Sequence, residues 1–249
     1  MFTNLETYVI NLDRSPERMR NMQTRLENLG LCHVRVPAVD GKDYKLTGNE
    51  VNALKYARAC GKISVPPSEI GCYVSHYNTM KEFLDHSDKN YALVLEDDML
   101  FEDGFMQALE SLLEIGTWDV VKFNGTNDVG NIRLEKLSEH YWLGVNYFRL
   151  NLSGAYLINR KAAAAYVTKL MPMFVPFDHE FTKFWKYGLR GYSVLPFPTK
   201  EDGTPTTISY ASNRKPWYKR GSHAFYECCV IIMRSLQAAR QQFGCPHHR

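Results

Sequence analysis

Apolar and polar positions alternate along the chain with two periods, one typical of strands and one typical of helices. Runs rich in β-branched and aromatic residues predict strands over residues 7–12, 33–36, 92–95, 118–123, 155–158 and 192–197. Apolar residues at helical spacing predict helices over residues 16–29, 51–57, 69–86, 105–113, 162–170 and 176–187. The aromatic segment over residues 141–150 predicts antiparallel strands after a loop near residues 124–133. These elements predict an α/β fold with a mixed sheet flanked by helices.

Capping residues predict where several of the helices begin. Ser15, Ser68 and Asn159 each precede an apolar helical pattern, and such side chains accept hydrogen bonds from the first free backbone N–H groups. Thr47 and Glu50 have the spacing of a capping box, which predicts the start of the helix over residues 51–57.

The strand over residues 92–95 runs directly into three consecutive carboxylates, Glu96, Asp97 and Asp98. Four apolar residues in a row indicate a strand buried on both faces, and open α/β sheets bind ligands at the carboxyl ends of such strands. Two carboxylates about 4 Å apart repel by roughly 4 kcal/mol at an effective dielectric constant of about 20. The crowding favours a bound divalent cation, with Glu96 and Asp98 as its ligands and Asp97 as the alternate. The other interpretation is a solvated turn that opens the next helix.

The first strand leads into the first helix across a short polar turn, as in the nucleotide-binding half of many α/β folds. The free N–H groups of that helix can bind an anion. Arg14 and Arg18 lie beside this helix terminus and are predicted to contact a diphosphate. A solvated helix face is the alternative for both arginines.

The helix over residues 69–86 has an unusual second face. Opposite its apolar sector it carries small and polar residues, which are Glu69, Cys72, Ser75, His76 and Thr79. This set suits hydrogen bonding to a ligand or to a neighbouring loop. The alternative is a buried polar face whose groups are satisfied by the backbone, with Cys72 merely packed.

Composition narrows the class of protein. The 249 residues suffice for one large α/β domain, which is the simplest expectation. The six cysteines form no CxxC pair and no secretory signal is evident, so we expect a cytoplasmic protein with reduced thiols. The net charge of +3 is too small to indicate a nucleic-acid partner. No apolar stretch is long enough to cross a bilayer, so any membrane contact would be peripheral.

Four sequence blocks together resemble glycosyltransferase family 25. They are YVINLDR (8–14) with Glu17 and Arg18, EIGCYVSH (69–76), LEDD (95–98) and SGAYLINR (153–160). The blocks keep the family's order and cover roughly residues 5 to 200. The family includes bacterial lipooligosaccharide galactosyltransferases and the galactosyltransferases of collagen. The resemblance implies a GT-A type fold with a Rossmann-like mixed sheet, a UDP-sugar donor, inversion at the anomeric carbon, and Mn²⁺ (or Mg²⁺) at the acidic motif.

This resemblance also implies a function and a set of site residues. The expected reaction transfers a hexose, galactose first and glucose as the alternative, to a saccharide or glycolipid acceptor of bacterial lipooligosaccharide or lipopolysaccharide. The absent signal peptide favours the bacterial, cytoplasmic branch. The residues predicted to bind the nucleotide sugar are Asn11, Arg14, Arg18, Glu69, Ser75, His76, Asp97 and Gly154.

An inverting transfer also needs a carboxylate that takes the proton of the acceptor hydroxyl. Asp178 is the predicted base, because it begins a helix in the second half of the chain, where GT-A enzymes place acceptor-side residues. Glu180 is the second candidate, and a plain N-cap role is the alternative for Asp178.

Two other classes of protein would share the acidic strand end. A metal-dependent nucleotidyltransferase or phosphodiesterase would have it, but should add a glycine-rich phosphate loop, which is not evident in the sequence. A non-catalytic carbohydrate-binding relative would keep the fold without holding the metal.

The C-terminal part of the chain lies beyond the family blocks. We predict a GT-A catalytic domain over residues 1–205, with a basic, aromatic loop and a C-terminal helix over residues 206–249 packed on it. The loop over residues 214–220 carries four cations and two aromatics, which predicts contact with an anionic inner-membrane surface next to a glycolipid acceptor. The following helix has an apolar stripe that we interpret as its core-facing side, namely Phe225, Cys229, Ile232, Met233 and Leu236.

Overall fold

Strands and helices alternate along the computed structural model, which describes residues 2–48, 50–62, 64–126, 129–203 and 220–244. The strands are β1 (Leu5–Asn11), β2 (Val34–Pro37), β3 (Tyr91–Glu96), β4 (Met99–Phe101), β5 (Val120–Lys122), β6 (Asn131–Lys136), β7 (Trp142–Asn146), β8 (Ala155–Asn159), β9 (Gly191–Leu195) and β10 (Thr199–Glu201). The helices are α1 (Pro16–Asn28), α2 (Ala53–Cys60), α3 (Pro67–His86), α4 (Phe105–Ile115), α5 (Arg160–Lys169), α6 (Phe177–Phe181), α7 (Phe184–Tyr187) and α8 (Arg220–Gly244).

Within the described ranges, eight strands form one mixed sheet in the order β2-β1-β3-β8-β5-β9-β7-β6. β1 pairs in parallel with β2 and β3, with Val9 opposite Leu95, and β5 pairs in parallel with β9. The pairings of β8 with β3 and β5, and of β7 with β6 and β9, are antiparallel. The predicted α/β class with a mixed, helix-flanked sheet is confirmed.

Strand β3 is buried on both faces, as its apolar run predicts. Leu93 and Leu95 join a core that includes residues of α1 and α4, whereas Ala92 and Val94 join a core that includes residues of α3 and α5. Helices therefore cover both faces of the sheet at β3. The carboxyl end of β3 lies at the same edge as those of its parallel neighbours β1 and β2.

The predicted capping box does not start α2. Asn52 is the N-cap, and its side chain accepts a hydrogen bond from the Lys55 N–H at 3.0 Å. Thr47 and Glu50 do form a hydrogen-bonded pair, but in the turn before the helix. The pattern was correct for the local contact and wrong for the helix boundary.

The other predicted caps have mixed outcomes. Asn159 caps α5 by accepting a hydrogen bond from the Ala162 N–H at 2.8 Å, as predicted. Ser15 occupies the N-cap position of α1, although its side chain makes no capping hydrogen bond. Ser68 is not a cap, because α3 begins two residues earlier than predicted, at Pro67, with Pro66 in the N-cap position.

Three other sequence predictions need correction. The predicted helix over residues 176–187 is two short helices, α6 and α7, because the backbone leaves the helical conformation at Lys183. Strand β6 begins at Asn131, so the predicted loop is shorter than expected. β4 and β10, which pair with each other, were missed because three-residue strands are too short for a periodicity signal.

The apolar stripe predicted to dock α8 on the core points outward instead. Phe225, Ile232 and Leu236 are exposed, whereas Arg234 and Ala238 are buried. The predicted basic, aromatic loop over residues 214–220 falls outside the described residues except for its last residue, which begins α8, and the boundary near residue 205 stays a prediction. None of the described helices combines the length and the hydropathy that crossing a membrane requires.

Candidate active site

A cleft of about 200 Å³ opens where β1, β2 and β3 end. Its walls are the turn between β1 and α1, the segment over residues 38–42 after β2, the first half of α3, and the acidic motif after β3. Cleft and motif thus lie at the edge of the sheet where α/β folds bind ligands.

One arginine spans two of the three predicted carboxylates. The Nη2 atom of Arg18 lies 2.7 Å from Asp97 Oδ1 and 2.5 Å from Asp98 Oδ2. The Asn11 side-chain amide donates a hydrogen bond to Asp97 Oδ2 at 2.6 Å. The structure thus brings together four residues predicted to lie at the site, which come from β1, α1 and the end of β3.

The second oxygen of Asp98 is a candidate metal-binding atom. Asp98 Oδ1 is buried and has no hydrogen-bond partner among the described residues. Burial, reinforced by the charge of Glu96, raises the pKa of Asp98 although Arg18 opposes the shift. Oxygen ligands from carboxylates suit Mg²⁺ and Mn²⁺. The chemistry of Asp98 and Glu96 therefore suits a divalent cation, and their role as metal ligands stays a prediction.

This raised pKa has a consequence for stability. The pKa of Asp98 rises from 3.8 to about 7, so between these values the folded chain binds a proton that the unfolded chain releases. Without metal, the contribution of Asp98 to the free energy of unfolding is fully present below about pH 4 and is lost as the pH rises through about 7. Thermal unfolding in the presence of a chelator should show this fall, and Asp98→Asn should flatten it. An Asp98→Asn profile with the parent's slope would contradict the assignment.

His76 is held against Glu96 by three contacts. Its Nε2 lies 3.1 Å from Glu96 Oε1, its Nδ1 lies 3.2 Å from the Tyr156 hydroxyl, and its ring stacks on Phe177 with centroids 4.1 Å apart. Burial keeps the pKa of Tyr156 well above its usual value, so the hydroxyl stays protonated and can donate to Nδ1. The Nε2 proton is then available to Glu96. His76 thereby orients the carboxylate.

Tyr156 and Phe177 were not predicted as site residues. Both are buried aromatics on elements far from α3 in sequence, and an aromatic pattern alone does not distinguish them from ordinary core residues.

Cys72, His76 and Glu96 form a second possible metal arrangement. One ligand atom from each lies within 4.8 Å of the others. A thiol, an imidazole and a carboxylate suit Zn²⁺ better than Mn²⁺, which prefers oxygen ligands. Burial raises the pKa of the Cys72 thiol, so a metal there would have to displace its proton. The two candidate metal arrangements share Glu96.

α3 also positions the loop that forms the opposite wall of the cleft. The Val39 N–H donates to Ser75 Oγ at 2.8 Å, and Ser75 in turn donates to the Gly71 carbonyl at 2.6 Å. A Cβ atom on Gly71 would come within 2.5 Å of the Val39 carbonyl oxygen, so only glycine allows this approach. Both interpretations of the polar face of α3 are thus partly correct, since Ser75 satisfies the backbone while His76 reaches the acidic motif.

Two further charged contacts lie at or next to the cleft. Arg14 forms an ion pair with Asp40, and both line the cleft. Arg35 donates to Asn11 Oδ1 at 3.0 Å and to Asp13 Oδ1 at 2.5 Å. Asp40 and Arg35 were not predicted, because isolated charges near a turn carry no sequence signal for a site.

Glu69 and Gly154 lie near the cleft but have structural contacts. The Tyr56 hydroxyl and Lys62 Nζ bind the Glu69 carboxylate at 2.5 and 2.6 Å, which joins α2 to α3. The Gly154 carbonyl accepts a hydrogen bond from the Glu96 N–H at 2.7 Å. A Cβ atom on Gly154 would lie 2.7 Å from the Met99 methyl group. Neither residue lines the cleft, so this geometry does not support the predicted contact of Glu69 or of Gly154 with a nucleotide sugar.

The two candidate bases lie in different environments. Asp178 Oδ2 accepts a hydrogen bond from the Leu152 N–H at 3.3 Å, and its negative charge contributes to the raised pKa of the Cys72 thiol. Glu180 is buried and bound by Lys183, Lys186 and the Tyr187 hydroxyl. Burial alone would raise the pKa of Glu180, but the two lysines lower it below its usual value. The structure does not bring Glu180 to the cleft.

Asp178 is held next to a strained loop. Leu152 adopts a φ of 68°, which costs free energy for a residue with a side chain. The buried Lys122 ammonium donates to the carbonyls of residues 150, 151 and 152. Burial lowers the pKa of Lys122 to about 7, while the charge of Asp178 opposes the shift. Lys122 therefore fixes the loop whose N–H group contacts Asp178.

Solved structures with an overall likeness to this chain are distant. A197 from STIV has a TM-score of 0.42 at 13% sequence identity and covers 77% of this chain and 81% of its own. A Drosophila β1,4-galactosyltransferase 7 mutant was solved in complex with manganese, UDP-Gal and xylobiose. It has a TM-score of 0.38 at 13% sequence identity, and the match covers 86% of this chain and 80% of the neighbour. Likeness at this level carries no conclusion for this chain.

Sequence comparisons are more informative. A relative from Aedes aegypti, a glycosyltransferase 25 family member, is 37% identical over 55% of this chain and 23% of its own length. A member from Anopheles gambiae is 30% identical over 81% of this chain and 38% of its own. The inactive glycosyltransferase 25 family member 3 from Mus musculus is 27% identical over 85% of this chain and 40% of its own length. The matched regions thus span two fifths or less of these relatives' lengths.

The family model shows which part of the chain carries the relationship. The model for glycosyltransferase family 25 (LPS biosynthesis protein) matches residues 4–180. The match includes β1, α3 and the acidic motif, which build the cleft, and also Asp178, which is not among the residues that line it. With most of its length matched by this model, the chain belongs to glycosyltransferase family 25.

Proposed function

We propose that the chain is an inverting, GT-A type glycosyltransferase that transfers a hexose, galactose in the first instance, from a UDP-sugar to a saccharide acceptor. The transfer depends on a divalent cation, Mn²⁺ or Mg²⁺. The observation that carries the proposal is the Asp98 Oδ1 atom, which lies next to Glu96 in the cleft at the strand ends, is buried and has no hydrogen-bond partner within the described ranges. Family membership supports the transferase class.

The donor side of the cleft has groups for the diphosphate. Glu96 and Asp98 would hold the cation, which when bound neutralises the charge that develops on the leaving diphosphate. Arg18 forms ion pairs with both Asp97 and Asp98. Arg14 and the N-terminus of α1 lie on the same wall and favour an anion. With a cation on Asp98, Arg18 would be free to bind the phosphates.

On the acceptor side, we assign the base to Asp178. The acceptor oxygen forms a bond to the anomeric carbon, the bond from that carbon to the phosphate oxygen breaks, and the acceptor proton passes to Asp178. UDP leaves with the electron pair of the broken bond. The backbone N–H groups of Leu152 and His179 hold the Asp178 carboxylate while it accepts the proton.

The acceptor and the location of the protein are part of the same proposal. The family description names lipopolysaccharide biosynthesis, which supports a saccharide of lipooligosaccharide or lipopolysaccharide as the acceptor, handled on the cytoplasmic side of the inner membrane. UDP-glucose is the alternative donor. A non-catalytic role is the second candidate function, because some relatives of similar coverage are named inactive.

Binding of UDP with metal tests the donor side. We expect UDP and Mn²⁺ together to raise Tm by about 5 °C or more at saturation, since ligand at a hundredfold excess over Kd stabilises by about 2.7 kcal/mol. UDP with a chelator should raise Tm much less, and ADP or GDP with Mn²⁺ should also raise it less than UDP with Mn²⁺. Equal shifts with all three nucleotides would favour a phosphodiesterase or nucleotidyltransferase instead.

Turnover of UDP-sugars then distinguishes a transferase from a non-catalytic binding protein. A transferase should hydrolyse or transfer one UDP-hexose faster than the others, and UDP-galactose is the expected substrate. Tight UDP binding without turnover of any UDP-sugar, in the presence of saccharide acceptors, would favour the non-catalytic role.

A further inference from the structure

Helix α8 turns its apolar side away from the protein. Phe225, Ile232, Leu236 and Phe243 are 73%, 58%, 52% and 82% exposed. At 3.6 residues per turn, these four side chains lie within about 40° of one another around the helix axis. We call them the outer stripe. A surface helix of a globular protein normally shows the opposite arrangement, with its apolar side on the core.

The protein-facing side of α8 carries three polar side chains that are hydrogen-bonded to the rest of the chain. Arg234 donates to Thr182 Oγ1 at 3.0 Å, Gln237 donates to the Leu189 carbonyl at 2.8 Å, and Gln241 donates to the Gly191 carbonyl at 3.0 Å. Rolling α8 to bury the outer stripe would break these hydrogen bonds and leave buried polar groups unpaired. The contacts therefore fix the outward direction of the stripe.

The charged residues near the outer stripe indicate which kind of partner it binds. Glu227 is the one acidic residue in the sequence of α8, and it is paired inward with Arg149. Arg240 is exposed and lies beside the stripe, and the sequence just before the helix adds Arg214, Lys215 and Lys219. A second copy docked on the stripe would bring two cation-rich sequences together, whereas an anionic lipid surface would compensate their charge.

We propose that α8 lies flat on an anionic membrane surface, with the outer stripe in the boundary between headgroups and acyl chains. The stripe runs from Phe225 to Phe243, about 27 Å at 1.5 Å per residue, which is long enough for an interfacial helix. The polar inner face anchors the rest of the chain to the helix. This surface is independent of the donor cleft and would bind lipid whether or not the proposed transferase activity is correct.

The test compares two variants of the full chain. In the stripe variant, Phe225, Ile232, Leu236 and Phe243 are each replaced by Gln. In the control variant, four exposed apolar residues outside α8 are replaced by Gln, namely Leu46, Leu54, Val129 and Phe148. Each protein is sedimented with vesicles of phosphatidylglycerol and phosphatidylethanolamine, and with vesicles of phosphatidylcholine alone. Thermal unfolding checks that each variant is folded.

The parent and the control variant should partition onto the anionic vesicles. The stripe variant should partition at least about tenfold more weakly, because interfacial binding scales with buried apolar area. Failure of the parent to bind anionic vesicles would overturn the proposal, as would equal binding to neutral vesicles or unchanged binding of the stripe variant. A parent dimer that the stripe substitutions dissociate, without vesicle binding, would assign the stripe to a second copy.

A native cysteine allows the contact to be located. Cys229 is exposed on the same side of α8 as the stripe, and Cys32 is exposed outside α8. An environment-sensitive fluorophore on Cys229, with Cys32, Cys228 and Cys245 replaced by Ser, should shift to shorter wavelength with anionic vesicles. The same fluorophore on Cys32, with Cys228, Cys229 and Cys245 replaced by Ser, should not shift. A shift at Cys32 without one at Cys229 would contradict contact through α8.

Discussion

Replacing Asp98 by alanine is expected to lower turnover by at least about a hundredfold, because the cation that we propose Asp98 to hold would contribute several kcal/mol to the stability of the leaving diphosphate. The same change should leave the fold intact or slightly more stable, since it removes a buried carboxyl whose Oδ1 has no partner among the described residues. The measurements are kcat for UDP-hexose turnover at saturating Mn²⁺, and Tm in the presence of a chelator.

Asp43 provides a matched control. It is an exposed aspartate close in sequence to the segment that lines the cleft, and it does not itself line the cleft. Asp43→Ala should therefore keep parent turnover. If Asp98→Ala stays within a few-fold of the parent, the acidic motif does not hold a catalytic metal.

Replacing Asp178 by asparagine should abolish transfer while leaving UDP and Mn²⁺ affinities near those of the parent. The amide keeps the shape of the side chain but cannot accept the acceptor proton, and loss of a general base typically lowers turnover by about 10²–10⁴-fold. The measurements are the transfer rate at saturating donor and acceptor, and a separate titration with UDP and Mn²⁺.

The substitution Glu180→Gln tests whether Glu180 is the catalytic base or a structural carboxylate. Glu180 is bound by Lys183 and Lys186, so its loss should lower Tm by leaving two buried or half-buried lysines without their partner. A normal Tm with abolished transfer would instead assign the base to Glu180. Loss of UDP binding in Asp178→Asn would move Asp178 to the donor side or to a structural role.

The elements that build the cleft could be predicted because each carries a local signal. An apolar run ending in three acids predicts a buried strand with carboxylates at its end, and parallel pairing then brings that end beside the β1–α1 turn. The structure places Asn11 and Arg18 on Asp97 in this way.

The contacts between distant elements could not be predicted from local pattern. Tyr156 and Phe177 reach His76 only because β8 and α6 pack against α3. Likewise, the amphipathic pattern of α8 shows that the helix has two unlike faces, but it does not show which one meets the protein. The hydrogen bonds of Arg234, Gln237 and Gln241 decide that question, and their partners lie about fifty residues away.

The central claim is that Asp98 and Glu96 hold a cation beside the diphosphate of a UDP-sugar in the cleft. Its most direct test is the anomalous scattering of Mn²⁺ in crystals of the protein grown with UDP and Mn²⁺. The account predicts a manganese peak between Asp98 Oδ1, Glu96 and the UDP phosphates, with Arg18 moved from Asp98 toward the nucleotide. A peak at Cys72, His76 and Glu96 alone, or UDP bound with no metal at Asp98, would contradict it.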